Sequence, residues 1–243
     1  MASKLAPLPP SFARGLVLID EAHSQDPNKI DGPDGPKTLP YELHYARKMT
    51  RWLEARSPTA SPELQLACRA QHFKRYPIPA LPTLRVPCGQ LGRRTKYLPS
   101  HRRWELPRSA FPMTRPGYLT WRVKQKTQAA AQVAALLADA SISPPLSEAS
   151  RARVGALVRK ESLATDEETQ ALEDAACLVF LDDQFDDFEA KADIDEDKMV
   201  GILRKTWAKM SGPGRALALA MDLSERAKLL IGRALEPQEA AAA

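Results

Sequence analysis

The side chains of this 243-residue chain best placed for chemistry are three histidines and one pair of adjacent acids. His23, His44 and His72 each fall in a helical stretch beside another ligand-type residue. Asp20 lies three positions before His23, Glu42 two before His44, and Gln71 next to His72. His101 sits in an irregular stretch and is set aside. Glu173 and Asp174 stand immediately ahead of an apolar run, Ala175 to Leu181. They enter the interior with that run and need cations, donors or a metal there, because unpaired buried charge is very costly. Imidazoles and carboxylates spread over several helices suit a site for a divalent transition metal, Zn, Mn or Fe. The plainer reading stays open beside it: satisfied histidines, and acids paired with arginine or lysine.

The element that must carry the acids is 165–185. Thr165 and Glu168 are spaced as a capping box. Apolar residues on every side of the helix that follows predict a place in the middle of a domain. Around it, apolar periodicity predicts helices over 12–23, 40–57, 63–75, 117–140, 147–160 and 193–210, and one or two over 215–235 with Ser224 as an internal cap. Tyr45, Met49, Trp52 and Leu53 form one inward stripe, and Tyr118, Trp121, Val133, Ala134 and Leu137 another. Leu64, Ala67 and Cys68 form a third, which carries Gln71 and His72 to the buried side. Residues 25–39, rich in Pro, Gly and Asp, read as a loop. Residues 73–101 carry Pro, Gly and basic residues without a period, and read as an irregular insert. No strand and no repeat is predicted. The expectation is one all-α domain with its core at about 11–236, the insert at 73–101 and a solvent tail at 237–243.

The net charge of +5 is unevenly spread: 74–122 is basic and 182–197 acidic. That asymmetry argues against nucleic acid as the partner. No apolar run approaches the ~20 residues of a membrane span, and the first residues lack a secretory apolar core. Three cysteines, Cys68, Cys88 and Cys177, show no paired spacing. They point to reduced thiols and a cytoplasmic protein, with neither disulfide nor thiolate metal site.

The blocks IDEAHSQDP, YELHYARKMTRWLEARSPTASPELQLACRAQHF, RRWELPRSAFPMTRPGYLTWR, KESLATDEETQALEDAACLVFL and ILRKTWAKMS resemble, in order, those of the family called domain of unknown function 4202. That family implies no established activity. Some members carry a glutamyl-tRNA synthetase label. Here Lys209-Met210-Ser211-Gly212 is similar to the KMSKS signature, but no HIGH-type motif and no parallel-sheet pattern accompany it. It reads as a helix C-terminus with Gly212 at the cap. In the family pattern the Gln71–His72 step runs straight into the RRWELPRS block, so 73–101 looks like an insertion at that junction. A retained intron would produce it, and transcript sequence that carries or lacks the segment decides the point.

A looser similarity is to the HD superfamily of metal-dependent phosphohydrolases, all-helical enzymes with a His, a His-Asp doublet and a late Asp as ligands. By that resemblance His44, His72 and Asp174 would hold the metal, with Glu42, Asp20, His23 or Glu173 filling the place where Phe73 follows His72 instead of the doublet's Asp. Glu173, Glu42 and Lys160 would then be the catalytic candidates, since an acid off the metal can act as base. Arg69, Arg75 and Arg122 would hold a small phosphorylated or nucleotide-like substrate. The alternative is a non-catalytic helical interaction protein whose polar residues form a buried network.

Overall fold

The all-round apolar stretch forms the second half of helix α6, Glu167–Val179, and the start of the turn after it, and both halves of the hydrophobic core close on it. In the computed structural model, which describes residues 5–32, 35–71, 73, 106–184 and 196–236, the fold is all-α. Before α6 come α1 (Pro10–His23), α2 (Tyr41–Arg56), α3 (Pro62–Arg69), α4 (Arg115–Leu136) and α5 (Glu148–Arg159). After it come a π-helical turn (Phe180–Gln184), then α7 (Glu196–Lys209), α8 (Gly212–Leu219) and α9 (Glu225–Leu235). No helix among the described residues is long and apolar enough to cross a membrane.

Two apolar clusters explain why α6 has no polar side along its second half. Ile19, Met49, Leu53, Leu64, Leu137, Leu157 and Leu172 belong to the first, built from α1 to α6. Leu178, Leu181, Met199, Leu203 and Leu230 belong to the second, built from the end of α6, α7 and α9. Ala175 and Val179 face the first and Cys177 and Leu178 the second, so successive residues of one turn are buried against different partners. Trp52 packs against both clusters, and its indole Nε1 donates to Asp182 (3.0 Å).

Helix starts follow side-chain capping, with one shift from expectation. Ser61, Ser147, Ser211 and Ser224 each accept a backbone N–H from the first turn of α3, α5, α8 and α9. At α6 the cap is Asp166, which takes the N–H groups of Glu168 (3.0 Å) and Thr169 (3.3 Å), and not Thr165. Arg153 of α5 decides between them: it holds Asp166 (2.5 and 3.0 Å) and also Glu168 (2.5 Å). Those Arg153 bonds lower the Asp166 carboxyl from its usual 3.8 to about 2. Asp166→Ala is expected to lose about 1–2 kcal/mol in urea unfolding. A depressed carboxyl stabilises the fold above its unfolded value, so this share is present above pH 3.8, and it is lost as pH falls through about 2. A variant whose acid limb matches the parent's would contradict the assignment.

Several elements differ from the sequence reading. The 25–39 stretch is not all loop: Lys29–Gly32 pairs antiparallel with Gly35–Pro40, with Ile30 opposite Leu39. Asp26 secures the hairpin at its base, accepting from Asn28 (2.9 Å) and from Glu42 at the start of α2 (2.9 Å), which brings the two ends together. Helix α3 stops at Arg69, not at 75. Helix α4 starts at Arg115, capped by Thr114, and Tyr118 on it is exposed. Gly212 does not cap α7. It opens α8, whose first turn Ser211 caps through Gly214 N–H (3.2 Å). His72, Arg75, Cys88, His101, all of 74–101 and the tail 237–243 lie outside the described residues.

Candidate functional site

Three polar assemblies hold the residues singled out from the sequence. The first joins α1, α2 and α3. His23 is fully buried; its Nδ1 meets Glu42 Oε2 at 3.2 Å and its Nε2 meets the Arg69 carbonyl at 3.0 Å. Arg69 grips Asp20 with two parallel bonds (2.6 and 2.7 Å) and donates to the Thr50 hydroxyl (3.0 Å). Asp20 and His23 share a helix face, as expected, but Asp20 serves Arg69 and His23 serves Glu42. The Phe73 ring stands edge-on to His23, with centroids 5.6 Å apart. His44 is half-buried on α2.

The second assembly is centred on Asp174, which has no exposed surface. Arg56 Nε donates to Oδ2 (2.7 Å), as does the Ser211 hydroxyl (2.5 Å). Ser211 N–H (2.8 Å) and the Gln170 amide (3.0 Å) donate to Oδ1. Gly214 leaves room for this: a Cβ there would stand 2.6 Å from the Asp174 carboxyl. One carboxylate thus ties α2, α6 and α8 together, with donors on both oxygens.

The third assembly is a pocket. Glu173 is one residue from Asp174, about 100° round the helix, and therefore faces a different space. It ion-pairs with Lys160 in a very short contact, and Lys209 Nζ lies 3.8 Å away. Burial alone would raise its carboxyl, but Lys160, Lys209 and Lys126 outweigh burial and hold it below the usual range. The concavity in front of Glu173 has a volume of about 330 Å³, at the small end for ligand sites. Gln71 and Phe73 after α3, Arg122, Gln125, Lys126 and Gln132 of α4, and Lys160 after α5 all line it.

Helix α4 shows how the pocket arises. Its inward stripe is apolar at Val133 and Ala130, continued by Leu137 just past its end, and turns cationic at Lys126 and Arg122, about one and two turns before Ala130. The core ends where the stripe changes character, and the pocket begins there. Lys160 reaches it from a left-handed position (φ 59°, ψ 48°) that closes α5, where glycine is the unstrained choice. That conformation costs about 1 kcal/mol or more and is a common way for a helix to end.

Of the proposed catalytic residues, Glu173 and Lys160 come together and Glu42 stands apart on His23. Of the anion-holding residues, Arg122 lines the pocket, Arg69 is engaged by Asp20, and Arg75 lies outside the described residues. Of the metal ligands, His23 and Asp174 are held in separate assemblies, and His72 lies outside the described residues. Among the described residues no three His, Cys, Asp or Glu side chains group in a way that could hold a metal ion. Cys68 and Cys177 are free, and burial pushes both thiols up to about 12. Sequence reasoning passed over Lys126 and Gln125. Their signal was there in the spacing of 122, 125, 126, 129 and 132 along one helical face.

Compared with known proteins, the chain matches one family model, Domain of unknown function (DUF4202), over residues 13–82 and 97–231. The gap between the two matched segments, 83–96, falls inside the expected 73–101 insertion and is narrower than it. No curated protein and no solved structure matches.

Proposed function

The chain belongs to the DUF4202 family, and for this member we propose a pocket enzyme or binding protein for a small anionic metabolite, phosphorylated or carboxylated. The observation that supports this most is the lack of counterions on α4. Arg122 and Lys126 line the concavity, and among the described residues neither has a carboxylate at ion-pair distance. Surface cations with nothing to hold are ordinary; two of them on one helix face, over a pocket whose acid is already shared by two other lysines, are not. Gln125 Nε2 adds a buried donor without a protein acceptor, a deficit of about 1–3 kcal/mol that a ligand oxygen or a water would remove. An anion held by Arg122 and Lys126 would lie beside the Glu173–Lys160 pair, where a carboxylate and an ammonium can take up and return a proton.

A divalent metal does not fit the donors as they stand. Both ring nitrogens of His23 meet oxygens, and both oxygens of Asp174 accept from Arg56, Ser211 and Gln170. The HD-like reading, with His44, His72 and Asp174 as its ligands, is tested by elemental analysis of the purified protein with and without His72→Ala. The alternative of a non-catalytic helical protein draws support from the same buried networks around His23 and Asp174.

Ligand-dependent thermal shift separates the readings. Inorganic phosphate, sugar phosphates and small dicarboxylates form the panel. A ligand at about 100 times its Kd adds about 2.7 kcal/mol of stability. Arg122→Ala is expected to weaken the best ligand about 10–100-fold, the loss of one charge-assisted hydrogen bond, without lowering the melting temperature of the free protein. A panel with no stabilising anion at millimolar concentration would overturn the proposal.

A further inference from the structure

Lys126 differs from the other lysines of the pocket. Lys160 and Lys209 are committed to Glu173. Lys126 has no ion pair among the described residues, yet lies in a wall shared with Arg122, Lys160 and Lys209. Ala129 and Val158 bring apolar surface to the same wall. An amine withdrawn from water and crowded by cations loses its proton more easily and becomes a nucleophile. Ordinary surface lysines pair, snorkel to water, or both.

We propose that Lys126 is a nucleophilic amine that forms an imine with a small anionic carbonyl compound, a 2-oxo acid or a phosphorylated aldehyde or ketone, bound in this pocket. The inference rests on the anion-binding reading above and adds a reaction to it. The neutral amine of Lys126 attacks the carbonyl carbon, and the C–N bond forms as the C=O π pair moves to oxygen. Proton transfer from nitrogen to oxygen gives a carbinolamine. A second proton, supplied to the hydroxyl by the Lys160 ammonium, lets water leave as the C=N bond forms, and the protonated imine returns its N–H proton to the Glu173–Lys160 pair. No oxidant or reductant is needed. Burial and the cations Lys160, Arg122 and Lys209 depress the Lys126 ammonium, while Glu173 opposes them, which agrees with the placement.

Borohydride trapping on the full-length protein tests this. Pyridoxal phosphate is the probe, pyridoxal its uncharged counterpart, and peptide mass spectrometry reads each lysine. Lys124, exposed on the same helix, is the internal reference. Pyridoxal phosphate is expected to label Lys126 faster than Lys124, and inorganic phosphate is expected to slow that labelling. Fast labelling of Lys126 by both probes, with no effect of phosphate, supports the reactive amine and overturns the anion site. Labelling of Lys126 no faster than Lys124, with phosphate still protecting it, overturns the amine and leaves the anion site standing. Equal labelling without protection overturns both.

Discussion

Asp174→Ala is expected to cost about 3–5 kcal/mol of folding stability, the range for removing one partner of a buried ion pair. Asp174 is fully buried and Arg56 mostly so. The truncation would leave the guanidinium without its carboxylate and Ser211 N–H without an acceptor, while the Gln170 amide would keep only the Lys209 carbonyl (2.9 Å). It would also release the residue that caps α8, and loss of a cap alone accounts for about 1 kcal/mol. Asp174→Asn keeps the shape and one acceptor and should cost less than the alanine. Gly214→Ala drives a Cβ into the same carboxylate and should destabilise through overpacking, by about 1–3 kcal/mol. Urea unfolding of the three variants, with unchanged m-values, checks the order. An Asp174→Ala protein within about 1 kcal/mol of the parent would mean that the carboxylate does not organise α2, α6 and α8.

The centrality of α6 could be read from sequence because all-round apolarity is a local pattern with one structural solution. The serine caps at Ser61 and Ser224 could be read for the same reason: the signal spans four residues. What failed needed distant partners. Thr165 and Asp166 are adjacent cap-type residues, and Arg153, on another helix, chose between them. Asp20 and His23 share a face, yet Arg69, 49 positions on, took the aspartate. The two acids midway along α6 are recognisable in the sequence as needing partners. Their separation into a structural knot and a pocket depends on which neighbours lie on each side of the helix, and spacing within α6 does not encode that. Composition suggested a loop at 25–39, but Asp26 tied its ends and a short hairpin formed.

Glu173→Gln is expected to do two things that ordinarily oppose each other: weaken the fold and tighten anion binding. The loss of stability follows from Lys160, 16% exposed at its side chain and held by Glu173. Without the carboxylate, Lys160, Lys126 and Lys209 repel one another. Breaking a fully buried pair costs about 3–5 kcal/mol, and because Lys160 can turn its head to water, about 2 kcal/mol is the expected loss. The gain in affinity follows from the same subtraction. A carboxylate lining the same pocket opposes a bound anion, and its removal should tighten phosphate binding on the order of ten-fold, about 1.4 kcal/mol. Lys126 should in turn lose its proton more readily, because Glu173 is the one group among its neighbours that favours the charged form. The pH dependence carries the sign. Cationic neighbours hold the Glu173 carboxyl below its usual 4.5, so its share of stability is present above pH 4.5 and disappears as pH falls below it. In the Gln variant that acid limb should flatten, and the difference between the two proteins should shrink toward zero in acid. Unfolding and phosphate titration across pH 3–7 read both quantities on one pair of proteins. A Gln variant with unchanged phosphate affinity would remove Glu173 from the pocket's electrostatics.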